Sequence, residues 1–187
     1  MEVNKILRLS ATMLQLSDIE EIFNNVNVIE DVDNEDLRLL LNCFNLVSNS
    51  IATDYINLTK SISVVNDTGL IEWSKIGDEQ IYKVIKVKDS FGHKISFKIT
   101  ASGIVCEKGN VTVVYCYFPK EYTYNSIMND FTNELTERIF AMGVVSEYLF
   151  IKGNSNDASI WEDRFKNAMK NVVRVRKEII LPKRRWW

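Results

Sequence analysis

Proline, glycine, histidine and cysteine are all scarce in this chain, and each scarcity excludes something. With 2 Pro and 7 Gly among 187 residues, no linker or low-complexity stretch separates independent domains. His93 is the only histidine. It stands beside Gly92 in a turn-prone stretch, so a His-dependent nucleophile, a dyad or a His metal site has no partner at a useful spacing. An exposed turn residue is expected instead. Cys43, Cys106 and Cys116 make an odd count without metal-like spacing. Cys43 falls in an apolar helical stripe. Cys106 and Cys116 fall in strand-like runs and can in principle face each other. Residues 1–16 lack the apolar block of a secretory leader, so free buried thiols are the expectation. No apolar run reaches the ~18 residues of a membrane span. No Cys-x-x-Cys, His-Glu-x-x-His, Gly-x-Ser-x-Gly or P-loop occurs. The chain is therefore read as a non-enzyme, with no catalytic residue, cofactor, metal or membrane partner.

What is present is apolar substance: 46% of the residues are hydrophobic, enough for one sizeable core or a core plus a subdomain. Asn, Ile and Lys are frequent, in the style of an AT-rich genome. The formal charge of −2 hides an asymmetry. Residues 1–60 carry 4 basic and 10 acidic side chains, residues 61–162 carry 10 and 13, and residues 163–187 carry 9 and 2. Such a chain can pair head to tail with a copy of itself or a neighbour, or its two ends can neutralise each other within one bundle.

Apolar periodicity divides the chain into helices, a β middle and helices again. Ile6, Leu9, Met13 and Leu16 are helically spaced over 3–16. Ser17-Asp18-Ile19-Glu20 reads as a capping box that starts a short second helix reaching about Asn25. Residues 33–60 give the clearest helix, with Asp33 as cap, Glu35 and Asp36 in its first turn, and a stripe of Leu37, Leu40, Leu41, Phe44, Val47, Ile51, Tyr55 and Leu58. From Ser61 the pattern changes to strand-like runs at 61–65, 69–76, 80–88, 93–101, 103–108 and 110–118, separated by turn-prone clusters. Over 93–101, Ile95, Phe97, Ile99 and Ala101 share one face, as in a half-exposed strand. Both faces of 110–118 are apolar, as in a central strand. A helix is then predicted from about Ser126 to Lys152, with stripes Phe131, Leu135, Ile139, Met142, Leu149 and Phe140, Val144, Tyr148, Ile151. Gly143 between them permits close backbone approach. A last helix over about 156–177 turns Trp161, Phe165, Ala168, Met169 and Val172 inward. The predicted class is α+β: an antiparallel helical bundle (1–60 and 120–177) with a small antiparallel β-sandwich or open barrel (61–119) inserted between its early and late helices.

Two polar runs have simple explanations. The acidic run at 30–36 solvates a loop and caps a helix, and Gly153–Asp157 is too short for a calcium loop. The unusual segment is 178–187, extended around Pro182 and ending Lys183-Arg184-Arg185-Trp186-Trp187. Trp and Arg dominate protein interfaces, and Arg suits phosphate. Three roles fit it: folding back on the chain's own core, docking into a partner protein, and nucleic-acid contact.

Two stretches carry a family resemblance. The first is Leu37–Val47 continuing through Ala52–Leu58. The second is Phe140–Gly153 followed by Trp161-Glu162-Asp163-Arg164-Phe165. Their order and spacing resemble the helices before and after the β insert in the head-to-tail adaptors of short-tailed bacteriophages, also called tail tubular protein A or connector ring proteins. The composition is similar to that of ring proteins of crAss-like phages. The β insert does not align strand by strand with the family. The resemblance implies a virion structural subunit, assembled in the host cytoplasm. It implies a homo-oligomeric, dodecameric ring beneath the portal protein, other ring or tail proteins attached below, and DNA passing the lumen without sequence specificity. It further implies that the segment 178–187 docks the portal, through Leu181, Lys183, Arg184, Arg185, Trp186 and Trp187. Phe44, Tyr55, Gly143, Tyr148 and Trp161 then form the ring-packing scaffold. The alternative is a nucleic-acid-binding accessory protein using the basic last helix and tail.

Overall fold

The computed structural model describes residues 1–25, 34–131 and 135–176. It is a mixed helix-and-sheet protein, as the α+β expectation required. The chain divides into two units, Met1–Ser48 with Tyr122–Trp187, and Asn49–Glu121.

In the first unit, α1 (Val3–Leu14) buries Val3, Ile6, Leu7, Ser10 and Ala11. The buried stripe is thus shifted from the expected one, and Leu9 and Met13 are only half-buried. Ser10 is tolerated inside because its hydroxyl donates to the Ile6 carbonyl at 2.8 Å. The helix stops at Gln15 in the left-handed region, φ 58°. In α2 (Ser17–Asn25) the expected capping box does not form. Ser17 already lies inside the helix and its hydroxyl turns to Asp18, while the Leu16 carbonyl accepts the amides of Ile19 and Glu20. In α3 (Glu35–Ser50) the cap is Asn34, whose Oδ1 accepts the Leu37 amide at 3.0 Å. Asp33 lies outside the described residues.

The predicted 126–152 helix is too long. Only Glu137–Ile151 is helical, α4, begun by the Thr136 carbonyl. Before it, Ile127 bridges Glu2 and the Met128 amide donates to the Met1 carbonyl, which engages the backbone groups a helix needs. Phe131 and Leu135 are buried all the same, so their helical spacing is a coincidence of a packed loop. The two predicted stripes of α4 hold only in part: Met142 and Leu149 are half-buried and Ile151 is exposed. Ile139, Phe140, Val144, Val145 and Tyr148 are buried, with Gly143 between them. Helix α5 (Ser155–Arg176) covers it with Phe165, Met169 and Val172, Trp161 and Ala168 being half-buried.

The second unit begins with the end of α3 and a single π turn, Ile51–Tyr55, so the helical run predicted to residue 60 ends early. Ile56 is extended, and the chain enters β1 (Thr59–Asn66). The remaining strands are β2 (Leu70–Glu72), β3 (Ile81–Lys88), β4 (Lys94–Ile95), β5 (Phe97–Thr100), β6 (Gly103–Cys106) and β7 (Gly109–Tyr117). They form two antiparallel sheets, β1-β7-β3-β4 and β2-β6-β5. β7 is a central strand, as its two apolar faces predicted. The 93–101 run is not one strand: it breaks at Ser96, β4 joining the first sheet and β5 the second, and Ile99 and Ala101 are exposed. The sheets close a small sandwich over Ile71, Ile76, Val84, Val87, Ile104, Val111, Val113 and Tyr115.

Asn66 ties the end of β1 to the turns beside it. Its Oδ1 accepts the Gly69 amide at 2.9 Å, and its Nδ2 donates to the Glu107 carbonyl at 3.0 Å and the Cys106 carbonyl at 3.3 Å.

Candidate functional site

Two polar clusters stand out, one in each unit. In the helical unit, Asp36 sits in the first turn of α3, and Tyr148 and Lys152 lie at the end of α4. The Tyr148 hydroxyl donates to Asp36 Oδ1 at 2.9 Å, and Lys152 Nζ reaches the same oxygen at 2.8 Å. Lys152 also lies 5.6 Å from the Tyr148 ring centroid. Each charge is on the favourable end of its helix, anion at the start and cation at the finish. The hydrogen bond from Lys152 holds the Asp36 carboxyl below its ordinary range, against the opposing effect of burial. Burial, then Asp36, pushes the Tyr148 phenol upward. The Asp36 hydrogen bond raises Lys152. Each group is thus fixed in its usual ionisation state, which suits a clamp and not a proton transfer.

An open cleft of about 830 Å³ borders this clamp, lined by Glu35, Arg38, Leu39, Asn42, Tyr124 and Lys152 among others. Cys43, one position on from Asn42, is fully buried. Burial and the nearby Glu147 push its thiol up to about 12, which removes it as a nucleophile.

In the sheet unit, Glu79 is paired with Lys60 and accepts a hydrogen bond from the Tyr115 hydroxyl at 3.3 Å. The Lys60 hydrogen bond lowers Glu79. A cleft of about 390 Å³ beside it is lined by Trp73, Ser74, Gly77, Glu79 and Ile81.

The residues expected to form a ring-packing scaffold are placed as follows. Phe44 is fully buried, its ring 5.6 Å from Tyr122 and 5.8 Å from Phe140. A Cβ on Gly143 would meet Val47 Cγ1 at 2.8 Å and the Phe165 ring at 3.3 Å, so α4 packs at glycine distance. Tyr148 is in the clamp. Trp161 is half-buried, with the Arg164 guanidinium 4.7 Å from its ring centroid. Tyr55 is not on a bundle helix but in the π turn of the other unit. Leu181, Lys183, Arg184, Arg185, Trp186 and Trp187 lie outside the described residues. His93 is an exposed turn residue, as expected: its amide and that of Phe91 donate to Asp89 Oδ1. The three cysteines are free thiols, and Cys106 and Cys116 belong to different sheets. Among the described residues no group of three His, Cys, Asp or Glu is placed to hold a metal ion, and no helix is long and apolar enough to cross a membrane.

Asp36 and Lys152 were not read as partners from sequence, nor Lys60 and Glu79. Nothing local joins them, because each pair is made by folding. The fold and its clusters define a two-unit α+β protein whose polar groups clamp its elements together. No protein-family model matches the chain, and no curated protein matches it.

Proposed function

We propose that this protein is a non-catalytic structural subunit of a phage head-to-tail connector, forming a ring under the portal that joins capsid to tail and lets DNA pass. The observation that carries an assembly role is the apolar surface left on the helical unit. Around the α4–α5 corner, Phe150, Ile151 and Ile160 are 41%, 52% and 52% exposed. Apolar side chains left exposed at the end of α4 and the start of α5 suit side-by-side packing of copies. The order of elements, with the sheet unit inserted between α3 and α4, accords with the adaptor resemblance. The segment 178–187 is the proposed portal-docking peptide.

The accessory nucleic-acid role through the last helix has less support. Arg164 is held over Trp161, and Lys166 lies 2.6 Å from Glu162. Light-scattering mass of the purified chain, alone and with its portal, tests the proposal. A ring is expected, with Ile151→Asp/Ile160→Asp reducing it to smaller species, and deletion of 178–187 abolishing portal docking. A strict monomer in both conditions overturns it.

A further inference from the structure

The four strands of the larger sheet contain Lys60, Lys83, Lys86, Lys88 and Lys94 and not one Asp or Glu. Their register decides where these charges lie. On β7, Val111, Val113 and Tyr115 are in the core, so Thr112 and Val114 take the opposite face. Thr112 is aligned with Ser63 on β1 and Lys88 on β3, and Lys88 with Lys94 on β4. Val114 is aligned with Ser61 and Lys86. The Ser63 and Thr112 hydroxyls lie 3.2 Å apart, as neighbours on one face must.

A β-bulge makes this possible. The register shifts between Val84 and Lys86, with Ile85 as the extra residue. In an unbroken strand Lys86 would share the inward face of Val84. The bulge turns Lys86 outward and returns Val87 to the core, where it is fully buried. Ser61, Ser63, Thr112, Lys86, Lys88 and Lys94 therefore stand together on the outer face. Among the described residues none of these three lysines is paired with a carboxylate.

We infer that the outer face of the four-stranded sheet is a docking surface for the phosphate backbone of double-stranded DNA. Lysine ammonium and Ser/Thr hydroxyl groups are the donors that contact phosphate without reading sequence, and charge complementarity selects a polyanion. Sheets that bind single strands stack bases on aromatic side chains of the face. The rows that carry these lysines offer only hydroxyl, aliphatic and lysine groups, while the next row of the face is covered at the buried Cys116, so the open part suits a duplex whose bases are already stacked. The surface is distinct from the last helix and the tail, and the inference does not depend on ring formation.

The test is fluorescence anisotropy of a labelled mixed-sequence duplex with the full chain across a salt series. Comparison variants are Lys86→Ser/Lys88→Ser/Lys94→Ser and a charge-matched control, Lys75→Ser/Lys108→Ser/Lys120→Ser, both checked for folding by circular dichroism. The face variant is expected to lose about tenfold or more in affinity, with the slope of log affinity against log salt shrinking by about 2–3, while the control changes little. Equal losses in both variants, or none in the face variant, overturn the inference. So does tighter binding of a single-stranded oligonucleotide that is lost on Phe91→Ala, or tighter binding of phosphatidylserine vesicles than of duplex.

Discussion

Asp36 joins two kinds of interaction that a residue-level reading treats separately. As an acidic residue in a helix's first turn it is expected from sequence alone, since the exposed amides there favour negative charge. Its second role, accepting from Tyr148 and Lys152, joins the start of α3 to the end of α4 across more than a hundred residues of chain, and no local pattern announces it. The acid dependence follows from the direction of its shift. A folded-state pKa held below the unfolded value means the stabilisation is whole above the ordinary aspartate range of about 3.9 and is lost as the pH falls through the lower folded value. The Asp36 side chain is 37% exposed, so solvent screening keeps the contribution under about 1 kcal/mol. Urea midpoints of wild type and Asp36→Asn should therefore differ near neutral pH and converge in acid. A difference that stays constant down to the acid limit would refute this assignment. Cys43 shows the opposite case. Its place in an apolar stripe predicted a buried thiol, and burial, with Glu147 adding to it, holds that thiol protonated.

At the scale of elements, the sequence disclosed most where one physical requirement dominated. The runs at 61–65, 80–88, 103–108 and 110–118 lie close to observed strands because alternation and turn residues agreed there. By contrast, 69–76 is strand only over Leu70–Glu72 before a 3-10 turn at Trp73–Lys75, and 93–101 splits between the two sheets. The two stripes of α4 predicted a helix covered on several sides, and it is the central helix of its unit. Failures came where tertiary contacts outweighed spacing. Phe131 and Leu135 are buried from a loop, and the Ile85 bulge turns Lys86 and Lys88 outward where simple alternation from Val84 would point them into the core. Gly143 tests the helix packing directly. Alanine there gains about 1 kcal/mol of helix propensity. Against that, its Cβ would lie 2.8 Å from Val47 Cγ1, and a β-branched side chain within a helix has little rotamer freedom to retreat. Overpacking of this kind costs about 1–3 kcal/mol, so Gly143→Ala should be destabilising by up to about 2 kcal/mol in urea unfolding. A stabilised variant would show that the helices separate easily, contrary to the packing described.

At the scale of the whole molecule, the sheet unit is a continuous piece of chain, whereas the helical unit is made of two pieces. That arrangement requires the two ends of the helical unit's gap to be held near each other, and one side chain does so. Asn45 on α3 accepts the Tyr122 amide through Oδ1 at 2.9 Å and donates through Nδ2 to the Tyr122 carbonyl at 3.1 Å. The order helices, sheet, helices was legible because periodicity switches near Ser61 and again after Pro119. Asn45 was not, since a lone Asn in an amphipathic helix has no distinguishing pattern. Because the chain leaves α3 and returns at Tyr122 beside the same helix, a short connection can replace the sheet unit without straining the helices. A variant in which a Gly/Ser bridge replaces 49–121 should keep its helical circular dichroism and unfold cooperatively, and adding Asn45→Ala should weaken it. If the proposed connector role holds through packing of the helical units, the excised protein should also keep the oligomeric mass of the full chain while losing the duplex affinity assigned to the sheet. Loss of the oligomer with the helices intact would move the assembly contacts to the sheet unit, and a helical unit that fails to fold would show that Asn45 alone does not close the gap.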